Sequence, residues 1–184
     1  RPVPKGAWTA AVRRALATSL AGGTTLADMD GDGDLDMLVV SATRERLFRN
    51  DVGTFVDVSA SVGLSGPPPG SVAIGAVVGD YDNDGRPDVF MLRFGTSTLY
   101  HQESTGVLRA RTGVPALAAP TSLSVSAAWA DVDHDGDLDL FIAGLVELPS
   151  TAPAPPGKVF PDDFSPAPHR FLRNNGDGTF TEAA

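Results

Sequence analysis

Aspartates at alternating positions, repeated three times along the chain, are the residues here with the clearest chemistry. The stretches read Asp28-Met-Asp30-Gly-Asp32-Gly33-Asp34-Leu35-Asp36, Asp80-Tyr-Asp82-Asn-Asp84-Gly85-Arg86-Pro87-Asp88 and Asp131-Val-Asp133-His-Asp135-Gly136-Asp137-Leu138-Asp139. Carboxylates packed this closely repel unless a cation lies among them, and a shell of hard oxygen donors selects calcium over zinc or copper. Within each loop the carboxylates of positions 1, 3 and 5 can turn toward one centre, the main-chain carbonyl of position 7 can add an oxygen, and the aspartate of position 9 can close the shell. Position 7 is Asp34, Arg86 and Asp137 in turn; an arginine side chain cannot serve a cation, so this position contributes backbone. Position 6 is Gly33, Gly85 and Gly136, where a sharp turn around the ion favours a residue with no Cβ. Three calcium sites are expected: Asp28, Asp30, Asp32 and Asp36 with the Asp34 carbonyl; Asp80, Asp82, Asp84 and Asp88 with the Arg86 carbonyl; Asp131, Asp133, Asp135 and Asp139 with the Asp137 carbonyl.

The elements that carry these loops are strands. An EF-hand shares the first half of the pattern but requires a bidentate Glu at position 12 and a helix on each side. Position 12 here is Val39, Met91 and Ile142. The segments that follow, 37–40, 89–92 and 140–143, are short apolar runs rich in β-branched and aromatic side chains, and those before the loops, 24–27, 76–79 and 127–130, read the same way. Each acidic loop therefore joins two strands. The first aspartates lie 52 and 51 residues apart, a period that signals one supersecondary unit stacked on the next.

With these loops, Leu47-Phe-Arg-Asn50 leading to Gly53-Thr-Phe55, and Phe171-Leu-Arg-Asn-Asn-Gly-Asp-Gly-Thr-Phe180, the chain resembles the FG-GAP/VCBS repeat family. That family includes the integrin α-subunit propeller and relatives of cartilage acidic protein. The resemblance implies four-stranded propeller blades, with calcium in the loop between the first two strands of each. It carries little about biological role, because one architecture hosts many functions.

On that basis the fold class is all-β: part of a single β-propeller domain over residues 1–184, with about three four-stranded antiparallel blades plus one strand of a preceding blade. The repeats fall at approximately 21–65, 71–115 and 123–184. Strands are expected near 23–29, 35–42, 45–50 and 53–59; near 73–80, 87–94, 97–102 and 106–112; and near 125–131, 138–145, 169–174 and 178–183. Residues 1–20 read as the last strand of a preceding blade, Gly6-Ala-Trp-Thr9, followed by an Ala/Arg exit segment. Propellers close with roughly four to eight blades. Three blades and one strand leave unpaired edges, which points to a segment of a longer propeller or a unit completed by another chain.

Composition agrees with a β protein: Gly and Pro together number 35, suiting many tight turns, and no run approaches the about 18 apolar residues of a membrane span. The net charge of -9 is metal-site acidity, since the loops carry -5, -3 and -5 and the remainder sums to +4. It makes no case for nucleic acid. There are no cysteines. Calcium modules tuned to about 10⁻⁴ to 10⁻³ M are filled outside cells, so an extracellular, cell-surface or periplasmic location is expected.

The third repeat is interrupted. Asp36 to Phe48 spans 12 residues but Asp139 to Leu172 spans 33, and the excess is a Pro-rich insertion, 149–168, with seven prolines and the cluster Asp162-Asp-Phe164. Proline donates nothing to a sheet ladder, so this segment is expected to stand out between the second and third strands, as a surface insertion or as a loop that packs through Asp162, Asp163 and Phe164 against a neighbouring blade or a partner chain. Catalytic signals are sparse. His101, His134 and His169 are scattered, with His134 at a non-ligating loop position, and no nucleophile elbow, phosphate loop or zinc-spaced histidine cluster occurs. Trp8 and Trp129 are expected to pack between blades. The reading is a non-enzymatic calcium-binding segment whose partner is a protein, a glycan or the subunits of a larger assembly. The alternative is a propeller domain of a secreted polysaccharide-degrading enzyme.

Overall fold

The structure is a computed structural model and describes residues 10–111, 114, 118–119, 121–148 and 160–183. One helix, α1 (Ala10–Leu20), precedes three sheets. The first is β1 (Gly23–Ala27), β2 (Asp36–Ser41), β3 (Arg44–Asp51) and β4 (Thr54–Asp57). The second is β5 (Val72–Gly79), β6 (Asp88–Thr96), β7 (Thr98–Gln102) and β8 (Leu108–Ala110), with the short β9 (Ala118–Ala119) pairing the far end of β6. The third is β10 (Ser122–Ala130), β11 (Asp139–Glu147), β12 (Arg170–Asn174) and β13 (Phe180–Ala183). In each sheet the four strands lie in chain order and run antiparallel, so every unit is a meander of three hairpins.

The register repeats. Ala27 pairs with Asp36, Gly79 with Asp88, and Ala130 with Asp139, which makes the acidic loop the first hairpin connection of every sheet. The strands form there because apolar residues follow each loop without interruption. In β6 all of Val89, Phe90, Met91 and Leu92 are buried, since the second sheet is covered on both faces. Val89 and Met91 pack with Leu38, Val40 and Leu47 of the first sheet. Phe90 and Leu92 point the other way, toward Leu140, Ile142 and Leu172 of the third. The outer faces of the first and third sheets lack that cover: Leu26 and Leu35 on one side, and Val132 and Phe141 on the other, are exposed.

Close contacts define the join between the second and third sheets. Trp129 lies on Gly79, where an added Cβ would come within 2.8 Å of the indole, and it stacks on Tyr81 with ring centroids 6.2 Å apart. This bears out the packing role expected for Trp129; Trp8 lies outside the described residues.

Two sequence expectations need correction. The Ala/Arg stretch read as an exit segment is helix α1, and Gly6–Thr9, read as a strand, lie outside the described residues. Alanine, leucine and arginine are strong helix formers, and Val12, Leu16 and Ala17 fall on one helical face, which packs on the core between the second and third sheets. The end of the Pro-rich insertion also departs from expectation, because it rejoins the sheet. Glu147 N–H donates to Ser165 O at 2.8 Å and Ala167 N–H to Leu145 O at 3.3 Å, bracketing Pro166, which is not asked to donate. Phe160 and Phe164 pack against the core that the second and third sheets share, in keeping with the anchoring role expected of Phe164. Residues 149–159 of the insertion lie outside the described set. Among the described residues no helix is long and apolar enough to cross a membrane.

Candidate metal centres

Each loop is bent by its own aspartates. The position 1 carboxylate accepts the N–H of the position 6 glycine in all three copies: Asp28 from Gly33 at 3.0 Å, Asp80 from Gly85 at 2.9 Å, Asp131 from Gly136 at 3.2 Å. The position 5 carboxylate accepts the N–H of position 7, from Asp34 at 2.8 Å, Arg86 at 2.9 Å and Asp137 at 3.0 Å. Position 6 has φ of 94°, 82° and 96°, the left-handed region expected of these glycines. Position 4 is left-handed too, at Gly31, Asn83 (58°) and His134 (62°). The sequence signal for that second turn was the set Gly, Asn and His, residue types enriched at positive φ. His134 is exposed, as its non-ligating position implies.

These turns bring together the carboxylates of positions 1, 3 and 5. In Asp28, Asp30 and Asp32, in Asp80, Asp82 and Asp84, and in Asp131, Asp133 and Asp135, one oxygen from each residue lies within 4.8 Å of the others. Crowding is felt electrostatically. The Asp30 carboxyl is raised from its ordinary value by desolvation and by the charges of Asp32 and Asp36, against the Asp32 N–H. A cation among these oxygens relieves that repulsion, and an all-oxygen donor set fits a hard ion such as calcium.

Position 7 side chains turn elsewhere. Asp34 accepts from Val52 N–H at 3.1 Å, Arg86 Nε donates to Gln102 O at 2.9 Å, and Asp137 accepts from Asn83 Nδ2 of the preceding sheet at 2.7 Å.

Position 9 has a role the sequence did not disclose. Asp36, Asp88 and Asp139 are essentially fully buried. One oxygen of each accepts the N–H of position 2 (Met29 at 2.8 Å, Tyr81 at 3.2 Å, Val132 at 3.2 Å). The other accepts a third-strand N–H (Asn50, Gln102 and Asn174, each at 2.8 Å). Position 9 thus pins the loop to the sheet while each oxygen keeps a lone pair for a metal. Burial pushes the Asp88 carboxyl up to about 6, against the Gln102 N–H and together with the nearby Asp82 charge.

The third strand also reaches the preceding sheet. Gln102 Nε2 donates to Met29 O at 2.8 Å and Asn174 Nδ2 to Tyr81 O at 2.7 Å, so the same strand position links each loop to the loop before it. Conserving that offset through successive units means that the sheets stack by one repeated rule. The model of the FG-GAP-like repeat matches residues 28–91 and 80–142.

The chain belongs to the FG-GAP-like repeat family. Both matches open on the first aspartate of an acidic loop, which makes the loop and the strands around it the part of the chain most characteristic of the family. No curated protein matches the chain.

One residue beside the second loop was missed by sequence reasoning. His101, scattered from the other histidines, lies beside the second loop, with Nδ1 3.0 Å from Asp82 Oδ2 and 3.3 Å from Asp88 Oδ1. Its counterparts immediately before Asn50 and Asn174 are Arg49 and Arg173, which face the first and third loops. Arg49 Nε is 4.0 Å from Asp30, and Arg173 pairs with Asp133 and lies 3.9 Å from Asp135. Aligning the third strands on their amide residues would have placed all three basic residues at one position.

Proposed function

We propose that this FG-GAP-like chain is a non-enzymatic, calcium-binding β-propeller segment that works outside the cytosol in binding a protein or glycan, or in building a larger assembly. The observation that carries the metal is the threefold recurrence of three converging carboxylates on a loop already bent by its own hydrogen bonds. Calcium there joins position 1, 3, 5 and 9 carboxylates to the position 7 carbonyl. It neutralises the loop and ties the first two strands of a blade together. At affinities of about 10⁻⁴ to 10⁻³ M such sites fill outside cells and stay empty in cytosol, which supports the location.

A propeller role in assembly is supported by the apolar outer faces of the first and third sheets and by the sheet-to-sheet bonds of Gln102 and Asn174. A further blade on the third sheet would find the Val132 carbonyl at the position where Met29 and Tyr81 already accept. Isothermal titration with calcium is the test. Three ions per chain are expected, and fewer than one ion bound at millimolar calcium would sink the reading.

A further inference from the structure

The second acidic loop differs from the other two in the residue that faces it. Arg49 and Arg173 present guanidinium groups, which stay charged and cannot ligate a metal. His101 presents an imidazole, which can. Its Nδ1 is buried and stands 3.0 Å from Asp82 and 3.3 Å from Asp88, yet it has no hydrogen-bond partner. Asp82 Oδ1 is likewise buried and unpartnered. The three residues converge, with one ligand atom of each within 4.8 Å of the others. That spacing fits a shared ion, because ligands about 2.0–2.2 Å from a tetrahedral metal stand about 3.3 Å apart.

The remaining groups around this site point the same way. Asp84, the position 5 carboxylate, is engaged by Arg86, and the second loop carries -3 where its neighbours carry -5. Fewer free carboxylate oxygens weaken a calcium shell, whereas one nitrogen and two oxygens suit a borderline ion. Tyr81, packed edge-on to the imidazole at 6.5 Å between centroids, holds the ring in place.

We propose that the second loop takes a transition-metal dication of the zinc class through His101 Nδ1, Asp82 and Asp88. Asp82 and Asp88 also belong to the calcium set of this loop, so the two kinds of ion compete there, while the first and third loops hold only oxygen-ligated ions. The inference rests on the loops being metal sites and not on their preference for calcium.

Cobalt(II) titration of the 184-residue chain, read by visible absorption, tests it. The expected result is one cobalt per chain with an absorption band characteristic of nitrogen and oxygen ligation. His101→Gln should weaken that binding at least tenfold, and so should His101→Arg, which installs the residue that the first and third blades already tolerate and so preserves the fold. Asp28→Asn and Asp131→Asn, in the other loops, should leave the cobalt site intact. An absence of cobalt binding, or wild-type cobalt affinity retained in both His101 variants, would overturn the proposal. Failure of the calcium reading appears separately, as no calcium heat in a chain that still binds cobalt through His101.

Discussion

Arg93 and Glu45 form a bidentate ion pair across two sheets, with Nε to Oε1 at 2.6 Å and Nη2 to Oε2 at 2.8 Å, and both side chains are fully buried. Glu45 stands on β3 of the first sheet and Arg93 on β6 of the second. Tyr100 adds its hydroxyl at 3.3 Å and its ring face at 5.9 Å, and Thr98 takes another guanidinium N–H. The pair is the one fully buried ion pair among the described residues, and it fixes how the first two sheets meet.

Removing one partner strands the other in a fully buried site. Glu45→Gln should therefore cost about 3–5 kcal/mol in urea unfolding, since an unpaired buried charge is left behind. Replacing both residues by apolar side chains of similar volume should recover most of that loss. If Glu45→Gln unfolds at the wild-type midpoint, the pair is not holding the interface.

The position 9 aspartates should matter even without metal. Asp88→Ala leaves the Tyr81 and Gln102 N–H groups buried and unpaired, at about 1–3 kcal/mol each. The loss should be measurable in chelator, where a residue that only ligates metal would have no effect. Asp32→Ala, an exposed position 5 residue, is the comparison: it should change the calcium-free protein far less.

Much of this organisation is legible in the sequence, for a physical reason. An acidic loop with glycine at a fixed place, bounded by apolar runs, leaves few ways to satisfy both charge and backbone, so the twelve blade strands fall close to where the pattern puts them. What escaped depends on contacts distant in sequence. His101 is 13 residues beyond Asp88, and only the β6–β7 hairpin brings it to the loop. Helix α1 is hidden because the repeat pattern, carried back ahead of the first acidic loop, covers a stretch whose own propensity is helical. The return of the insertion was hidden because proline was judged by the donor it lacks, while the bonds around Pro166 use its neighbours.

Calcium should raise the melting temperature of the chain, and chelator should reverse it. At a hundredfold excess over its dissociation constant each site contributes about 2.7 kcal/mol, so Asp32→Ala, Asp84→Ala or Asp135→Ala should each remove about a third of the rise. Superimposable melting curves with calcium and with chelator would count against metal at all three loops.

The last prediction concerns Gly144, where β11 meets the returning insertion. A Cβ there would collide with the carbonyl oxygen of Pro168 and lie 2.7 Å from that of Ala167, so the contact is with backbone and cannot be relieved by rotating a side chain. Gly144 N–H also donates to His169 Nδ1 at 3.2 Å, which ties the insertion's end to the strand. Gly144→Ala should push residues 165–169 off β11, break the Ala167 to Leu145 bond and destabilise the chain by about 1–3 kcal/mol, the range for overpacking a filled site. Hydrogen exchange should localise the effect, with Glu147 and Ala167 amides losing protection while those of β2 and β6 keep theirs. Unchanged exchange at Glu147 would mean that the insertion does not pack on β11 in solution.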